Sequence, residues 1–290
     1  MRRLFLLAFL LVLAWPRMAV AQQSINPPDP LRPSGSNPIL AEADAHYARR
    51  QEGRVGALAS GREIALAIAG YDTAAQAPDN AEARWKLARA LYFRGAYTGL
   101  DQAGQLAVYD KARRAGDEAI RIVERRVRNP MPFDEKRDPD AAPSYFWAAV
   151  AWGQWALVSG KIEAAKTGAA EKIRDYATAV IGLDAVFEDG GGYRVLGRLH
   201  DQAPWIPFVT GWVSREEAVK NLRLALKAEP RSLINQLFLA EVLAGGSATE
   251  KAEAIRLAEA VVTGAPSPVR LVEELKIQDD AREDLKKWRK

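Results

Sequence analysis

The sequence predicts an all-α protein of helical hairpins stacked into a right-handed α-solenoid, on three observations. Ala218, Leu222, Ala225 and Pro230 are separated by steps of 4, 3 and 5, and the same steps recur at Ala254, Ala258, Val261 and Pro266. Steps of 4 and 3 return to one helix face, and Pro, which lacks an N–H and clashes with the preceding turn, stops the helix afterwards. From Ile39 onward Pro and Gly punctuate helical patterns, and no stretch sustains the period-2 alternation of a strand. Four to five hairpins, at about 34 residues each in the standard repeat and longer here, account for the rest of the chain.

The N-terminus has a different character. Arg2 and Arg3 precede an apolar run from Leu4 to Ala14, and Ala19-Val20-Ala21 supplies a small-residue exit before Gln22. These are the parts of a secretory signal peptide, and the run is too short to span a bilayer comfortably. The expectation is a signal peptide over 1–21, cleaved after Ala21. Arg2-Arg3-Leu4-Phe5-Leu6 also hints at a twin-arginine signal, but Met1 and Leu7 stand where polar and basic flanks belong, which favours the general secretory route. The 290 residues contain no Cys, hence neither a disulfide nor a lipid-acceptor thiol, and the expected address is the periplasm.

Cleavage also changes the charge. The net charge of +4 includes Arg2, Arg3 and Arg17; without them Lys+Arg falls from 41 to 38 against 37 Asp+Glu. A mature charge near +1 removes the electrostatic case for nucleic acid or an anionic membrane. Residues 22–38 carry five prolines among Ser, Asn and Gly, a composition that favours extended chain and reads as a linker. Residues 39–290 are then one helical-repeat domain.

Within it, a helix near Leu40–Gln51 pairs with one near Ala57–Gln76, whose Ala67, Tyr71 and Ala74 repeat the small-large-small face. Asp79-Asn80 caps a helix running to about Gly95 with Trp85, Ala88, Arg89 and Tyr92 at relative positions 0, 3, 4 and 7. Its partner, near Gln105–Val127, presents Ala112, Gly116 and Ala119, small residues that let two backbones approach. After a polar, Pro-interrupted connection over 128–143, the segment Pro143–Gly160 is the most aromatic helix, with Tyr145, Phe146, Trp147, Trp152 and Trp155 spread over more than one face. A helix near Ala164–Phe187 leads to Gly190-Gly191-Gly192, a turn admitting a helix at close quarters, and then to Tyr193, Leu196, Gly197 and His200, again at 0, 3, 4 and 7. Beyond an aromatic insert over 203–212, Ser232 or Ser247 caps helices near Leu233–Leu243 and Thr249–Thr263, and the amphipathic tail Val269–Lys290 covers the end of the stack.

Trp85-x2-Ala88-x3-Tyr92 and Ala218-x3-Leu222-x2-Ala225-x4-Pro230 resemble the tetratricopeptide repeat. Longer stretches add to this: Tyr109-Asp110-Lys111-Ala112-Arg113-Arg114-Ala115-Gly116, Tyr145-Phe146-Trp147-Ala148-Ala149, Gly191 to His200 with Ala203-Pro204, and Asn235-Gln236-Leu237-Phe238-Leu239-Ala240-Glu241. In order and spacing over roughly residues 60–265 they resemble the TatT family, the tetratricopeptide-like T component associated with tripartite ATP-independent periplasmic (TRAP) transporters. The resemblance implies an all-α periplasmic protein that pairs with a TRAP substrate-binding subunit, a trimer, and a channel through the protomer suited to apolar ligands. Members are often lipoproteins, and this chain departs from them in having no acceptor Cys.

No catalytic constellation stands out. His46 and His200 are the only histidines and no H-x-x-H or H-E-x-x-H spacing exists, so no metal site is expected. There is no G-x-S-x-G elbow, and no P-loop lysine follows the glycines. Glu216-Glu217 and Asp279-Asp280 diverge on a helix and read as solvated charge. The expectation is therefore a binding protein without cofactor. Pro204-Trp205-Ile206-Pro207-Phe208-Val209-Thr210-Gly211-Trp212 is the segment where a functional reading competes with packing. Its rings pack onto the repeat core, or contact a partner, or Tyr145, Trp152, Tyr193, Trp205, Phe208 and Trp212 line a site for an apolar small molecule. The alternative function is an envelope interaction scaffold without a ligand.

Overall fold

The computed structural model describes residues 37–128, 138–206 and 210–290. The signal peptide over 1–21, the linker up to Ser36 and Phe208 of the candidate site lie outside them. Twelve α-helices follow in order: α1 (Pro38–Ala48), α2 (Arg62–Ala74), α3 (Ala81–Tyr97), α4 (Gln102–Arg128), α5 (Ala141–Ser159), α6 (Lys161–Lys166), α7 (Ala169–Leu183), α8 (Phe187–Gln202), α9 (Arg215–Ala228), α10 (Leu233–Ala244), α11 (Ala248–Thr263) and α12 (Leu271–Trp288). There is no strand among the described residues, which belong to one compact unit.

The ends of the helices follow local chemistry. The Asn37 side chain accepts the Ile39 amide at 3.1 Å, Asn80 accepts Ala83 at 3.0 Å and Ser214 accepts Glu217 at 3.1 Å. Each satisfies an amide that the first turn leaves without an intrahelical partner. Ser247 and Glu250 form a reciprocal capping box at α11. Ser232 makes no side-chain cap at α10, so of the two predicted serines only Ser247 does so.

Three expected boundaries shift. The linker expected over 22–38 does not include Pro38, which opens α1, because the first helical position needs no N–H and suits the ring's fixed φ. The helix expected from Ala57 starts at Arg62, after turns that end on Gly61 at φ 82°. The helix expected over Ala164–Phe187 is two, α6 and α7, broken where Gly168 takes φ 65°, a left-handed conformation that a helix cannot continue through.

The repeating small-large-small positions are the buried faces. Ala218, Leu222, Ala225, Ala254, Ala258 and Val261 have no accessible surface, nor do Ala67 and Tyr71. Each helix packs on the next, with α3 also on α5 and α10 also on α12. Close approach needs absent side chains: a Cβ on Gly116 would lie 2.7 Å from the Ala148 Cα, and one on Gly197 2.5 Å from the Leu222 Cγ.

The C-terminal helix does more than cover an end. Ile277, Ala281 and Leu285 pack into the core of α9–α11, while Val272 joins Leu40, Ile64, Tyr71 and Phe93 in the core of the first hairpin. Beside it Arg50 pairs with Glu273 at 2.8 Å and donates to the Val269 carbonyl at 2.6 Å, and Gln51 donates to the Pro268 carbonyl at 2.5 Å. The first hairpin and the last helix are thus in direct contact, and the chain closes on itself. Under this seam Lys86 is buried between Asp44 (2.7 Å) and Glu82 (2.8 Å), with Tyr71 donating to Asp44 at 2.7 Å. A charge so placed is tolerated because it is paired and hydrogen-bonded.

Candidate functional site

Groups from α1, α3, α8 and α12 meet at a kink in α8. Glu188 (φ 49°), Asp189 (φ 62°) and Gly190 (φ 75°) are consecutive left-handed residues. The conformation suits Gly190, but costs about 1–3 kcal/mol at each of the two acidic residues and persists only where its surroundings hold it. Here they do. Asn235 donates from Nδ2 to the Asp189 carbonyl at 2.8 Å and to the Ala225 carbonyl at 3.0 Å. Arg194 donates from Nη1 to the Glu188 carbonyl at 2.9 Å and to Asn235 Oδ1 at 3.0 Å. Arg270 at the start of α12 donates from Nη2 to Asp189 Oδ2 at 2.8 Å.

The three glycines seat the new helix against its neighbours. A Cβ on Gly190 would stand 2.8 Å from the Ala228 Cβ, on Gly191 2.4 Å from the Phe146 ring, and on Gly192 2.8 Å from the Ile181 side chain. The expected close-quarters turn is therefore present, with φ > 0 required only at the first glycine.

The kink delivers the Glu188 side chain to the interior. It keeps 31% of its surface accessible, yet burial pushes its carboxyl above the usual range, against the opposing pull of Arg270, Arg194 and Arg89. Arg89, the third of these guanidiniums, stacks on Tyr47 at 4.0 Å and Trp85 at 5.0 Å. Tyr92 lies 3.2 Å from the Tyr97 hydroxyl and 5.8 Å, ring to ring, from Trp147. Burial raises the Tyr47, Tyr92 and Tyr97 hydroxyls, which stay protonated donors. Burial also lowers Arg194, while at Arg270 it is outweighed by Asp189 and Glu188 and the pKa rises.

Of the six predicted ligand residues Phe208 lies outside the described residues, and the other five do not converge here. Trp152 is buried in the packing of α4, α5 and α7, donating to Asp117 at 2.8 Å with Trp155 edge-on at 5.6 Å. Trp212 packs against that same cluster, 5.4 Å from the His200 ring and 5.0 Å from the Arg174 guanidinium. Tyr145 belongs to the adjacent cluster with Phe146 and Trp147 and lies 6.0 Å from Tyr176. Tyr193 is half-buried on α8. Trp205 is 63% exposed, its indole N–H satisfied by the Gly211 carbonyl at 3.1 Å. The insert is therefore divided between a packed end at Trp212 and an open one at Trp205. His200 accepts the Ser214 amide through Nδ1 at 3.2 Å, and burial lowers its pKa, which keeps that nitrogen an acceptor.

Sequence reasoning passed over Glu188, Asp189, Arg194 and Arg270. Their signal was faint: Arg89 stands in an otherwise apolar 0, 3, 4, 7 set, and Arg194 comes two positions after the triple glycine. No protein-family model matches the chain, and no curated protein matches it.

Proposed function

We propose that the chain is a periplasmic accessory protein of a TRAP-type transport system, of the TatT kind. In this reading its tetratricopeptide-like hairpins stack with right-handed curvature, it assembles as a trimer, binds the substrate-binding subunit and holds a small molecule in its interior. The observation that supports the ligand part is the contact of the first hairpin with α12, beside the cluster of guanidiniums and tyrosines around Glu188. Such closure is what a small-molecule site needs, and what a peptide-binding concave face lacks.

The reading as an envelope scaffold rests on a different surface. Val55 (81%), Leu58 (49%), Leu157 (61%) and Ile162 (75%) stand exposed. They flank connections joined by the Ala59 amide to the Tyr97 carbonyl at 2.8 Å and by Gln102 to the Val158 carbonyl at 3.3 Å. This apolar edge suits a protein partner, the transport subunit included. Co-expression of the mature chain with a TRAP substrate-binding subunit, followed by size-exclusion chromatography, is expected to give a stoichiometric complex. Separate elution of the two proteins at micromolar concentration contradicts the transport assignment.

A further inference from the structure

We propose that one end of the domain docks on an anionic lipid surface, with Val55, Leu58, Leu157, Ile162 and Trp205 entering the headgroup layer while Arg54, Arg62 and Lys161 meet the phosphates beside them. This goes beyond the transport reading, and it gives the apolar edge a different occupant from the protein partner of the scaffold reading.

These side chains come from separate connections that the fold gathers at one end of its helices. The Ala59 amide donates to the Tyr97 carbonyl at 2.8 Å, which ties the α1–α2 connection to the end of α3. Gln102, opening α4, donates to the Val158 carbonyl at 3.3 Å in the last turn of α5. Val158 and Ala164 of α6 pack in one cluster with Ala203 and Trp212, so the insert after α8 stands at that end too. All five apolar side chains are exposed there.

The polar groups around them select the occupant. The Val55 amide donates to the Leu58 carbonyl at 2.8 Å and the Leu58 amide to the Val55 carbonyl at 3.1 Å, so the two tip residues satisfy each other. The Trp205 indole N–H is held by the Gly211 carbonyl at 3.1 Å. Behind it the Ile206 amide donates to the Thr210 hydroxyl and the Thr210 amide to the Ile206 carbonyl, both at 2.9 Å. A group that enters the edge of a hydrocarbon layer must bring its hydrogen bonds with it, because lipid supplies none. A protein interface instead exchanges about one hydrogen bond per 100–200 Å², for which Val55, Leu58 and the Trp205 indole keep nothing open.

Charge points the same way. Arg54, Arg62 and Lys161 are exposed and make no ion pair among the described residues. The acids of this edge are already answered: Glu163 faces Lys166 and Glu52 faces Arg49, each at 3.9 Å, and Asp101 accepts the Gly104 amide at 2.8 Å. Unpaired cations around aliphatic tips complement an anionic headgroup layer. With a net charge near +1 once residues 1–21 are removed, the chain has no long-range attraction to such a surface, and the contact forms from immersion and local pairing.

Cosedimentation of the mature chain with vesicles of phosphatidylcholine alone, and of phosphatidylcholine mixed with phosphatidylglycerol, tests this. Binding to the mixed vesicles is expected to be at least about fivefold tighter than to the neutral ones. Val55→Ser with Ile162→Ser, checked for fold by circular dichroism, should weaken it at least about tenfold. Arg62→Gln with Lys161→Gln should remove most of the preference for mixed vesicles and leave binding to neutral ones unchanged. No sedimentation with either vesicle at millimolar lipid overturns the proposal. So does binding that the serine pair leaves unchanged, because another surface then carries it. Equal binding to both vesicles overturns the role of the cations. If the chain ignores vesicles and the serine pair instead abolishes self-association or capture of a substrate-binding subunit, the edge belongs to a protein and the lipid proposal falls alone.

Discussion

Leu222→Asp is expected to abolish cooperative folding of the whole domain. Leu222 has no accessible surface and fills the space that Gly197 leaves open, between Ala218 and Ala225 on α9 and the face of α8. Removing a fully buried leucine costs about 2–5 kcal/mol on its own. A carboxylate at the same point adds several kcal/mol of desolvation with no cation to answer it, unless it takes up a proton. Together these approach the about 5–15 kcal/mol that separates folded from unfolded protein. Circular dichroism at 25 °C should show loss of helix and no sigmoidal melt. Leu222→Ala, which carries only the cavity cost, should still fold with a lowered Tm. A native-like melting curve for Leu222→Asp would mean that the 4-3-5 spacing does not mark the buried face.

The second large effect is expected at the crossing of α4 and α5. Gly116→Leu sets two terms in opposition. In an exposed helix the change would stabilise by up to about 1 kcal/mol, because leucine restricts the unfolded chain and favours the helix. Here its Cβ would stand 2.7 Å from the Ala148 Cα and 3.2 Å from the Ala148 amide nitrogen. Backbone cannot rotate away as a side chain can, so the helices must part, at the upper end of the about 1–3 kcal/mol cost of overpacking or beyond. Net destabilisation of about 2 kcal/mol or more by urea denaturation is the expected outcome. Gly153→Ala is the internal control: it lies in α5, nothing stands within 4 Å of its added Cβ, and it should be neutral or stabilising. If both variants behaved alike, close backbone approach would not be what glycine provides at position 116.

These two sites show why the helices were legible. A buried face between antiparallel helices needs small residues at fixed steps, so Ala218, Leu222 and Ala225, and the sequence around Gly116, carry the packing in their spacing. Boundaries depending on one residue's conformation were harder, since Gly61 and Gly168 break helices only because their φ is positive, which spacing does not reveal. Closure of the chain left no periodic trace at all. Arg50 and Glu273 are 223 positions apart, and each reads locally as a charge on an amphipathic helix.

The described aromatic candidates fall in separate packing clusters for a related reason. Aromatic density over 203–212 drew attention to rings that had to be buried. Trp212 is indeed packed, but Trp205 meets its one polar need within the loop and stays exposed. Charged side chains of α3 and α8 instead meet Arg270, just before α12, at a kink that triple glycine signalled as a turn without revealing what it brought together.

A small molecule held by the domain is what separates the transport reading from that of an interaction scaffold. Native mass spectrometry of the mature chain, purified without detergent from cells that export it, tests this directly. A noncovalent increment of a single small molecule per chain, lost on denaturation, is expected in addition to any apo species. Apo mass alone, across preparations that retain the fold by circular dichroism, would contradict it and move the balance to an interaction scaffold.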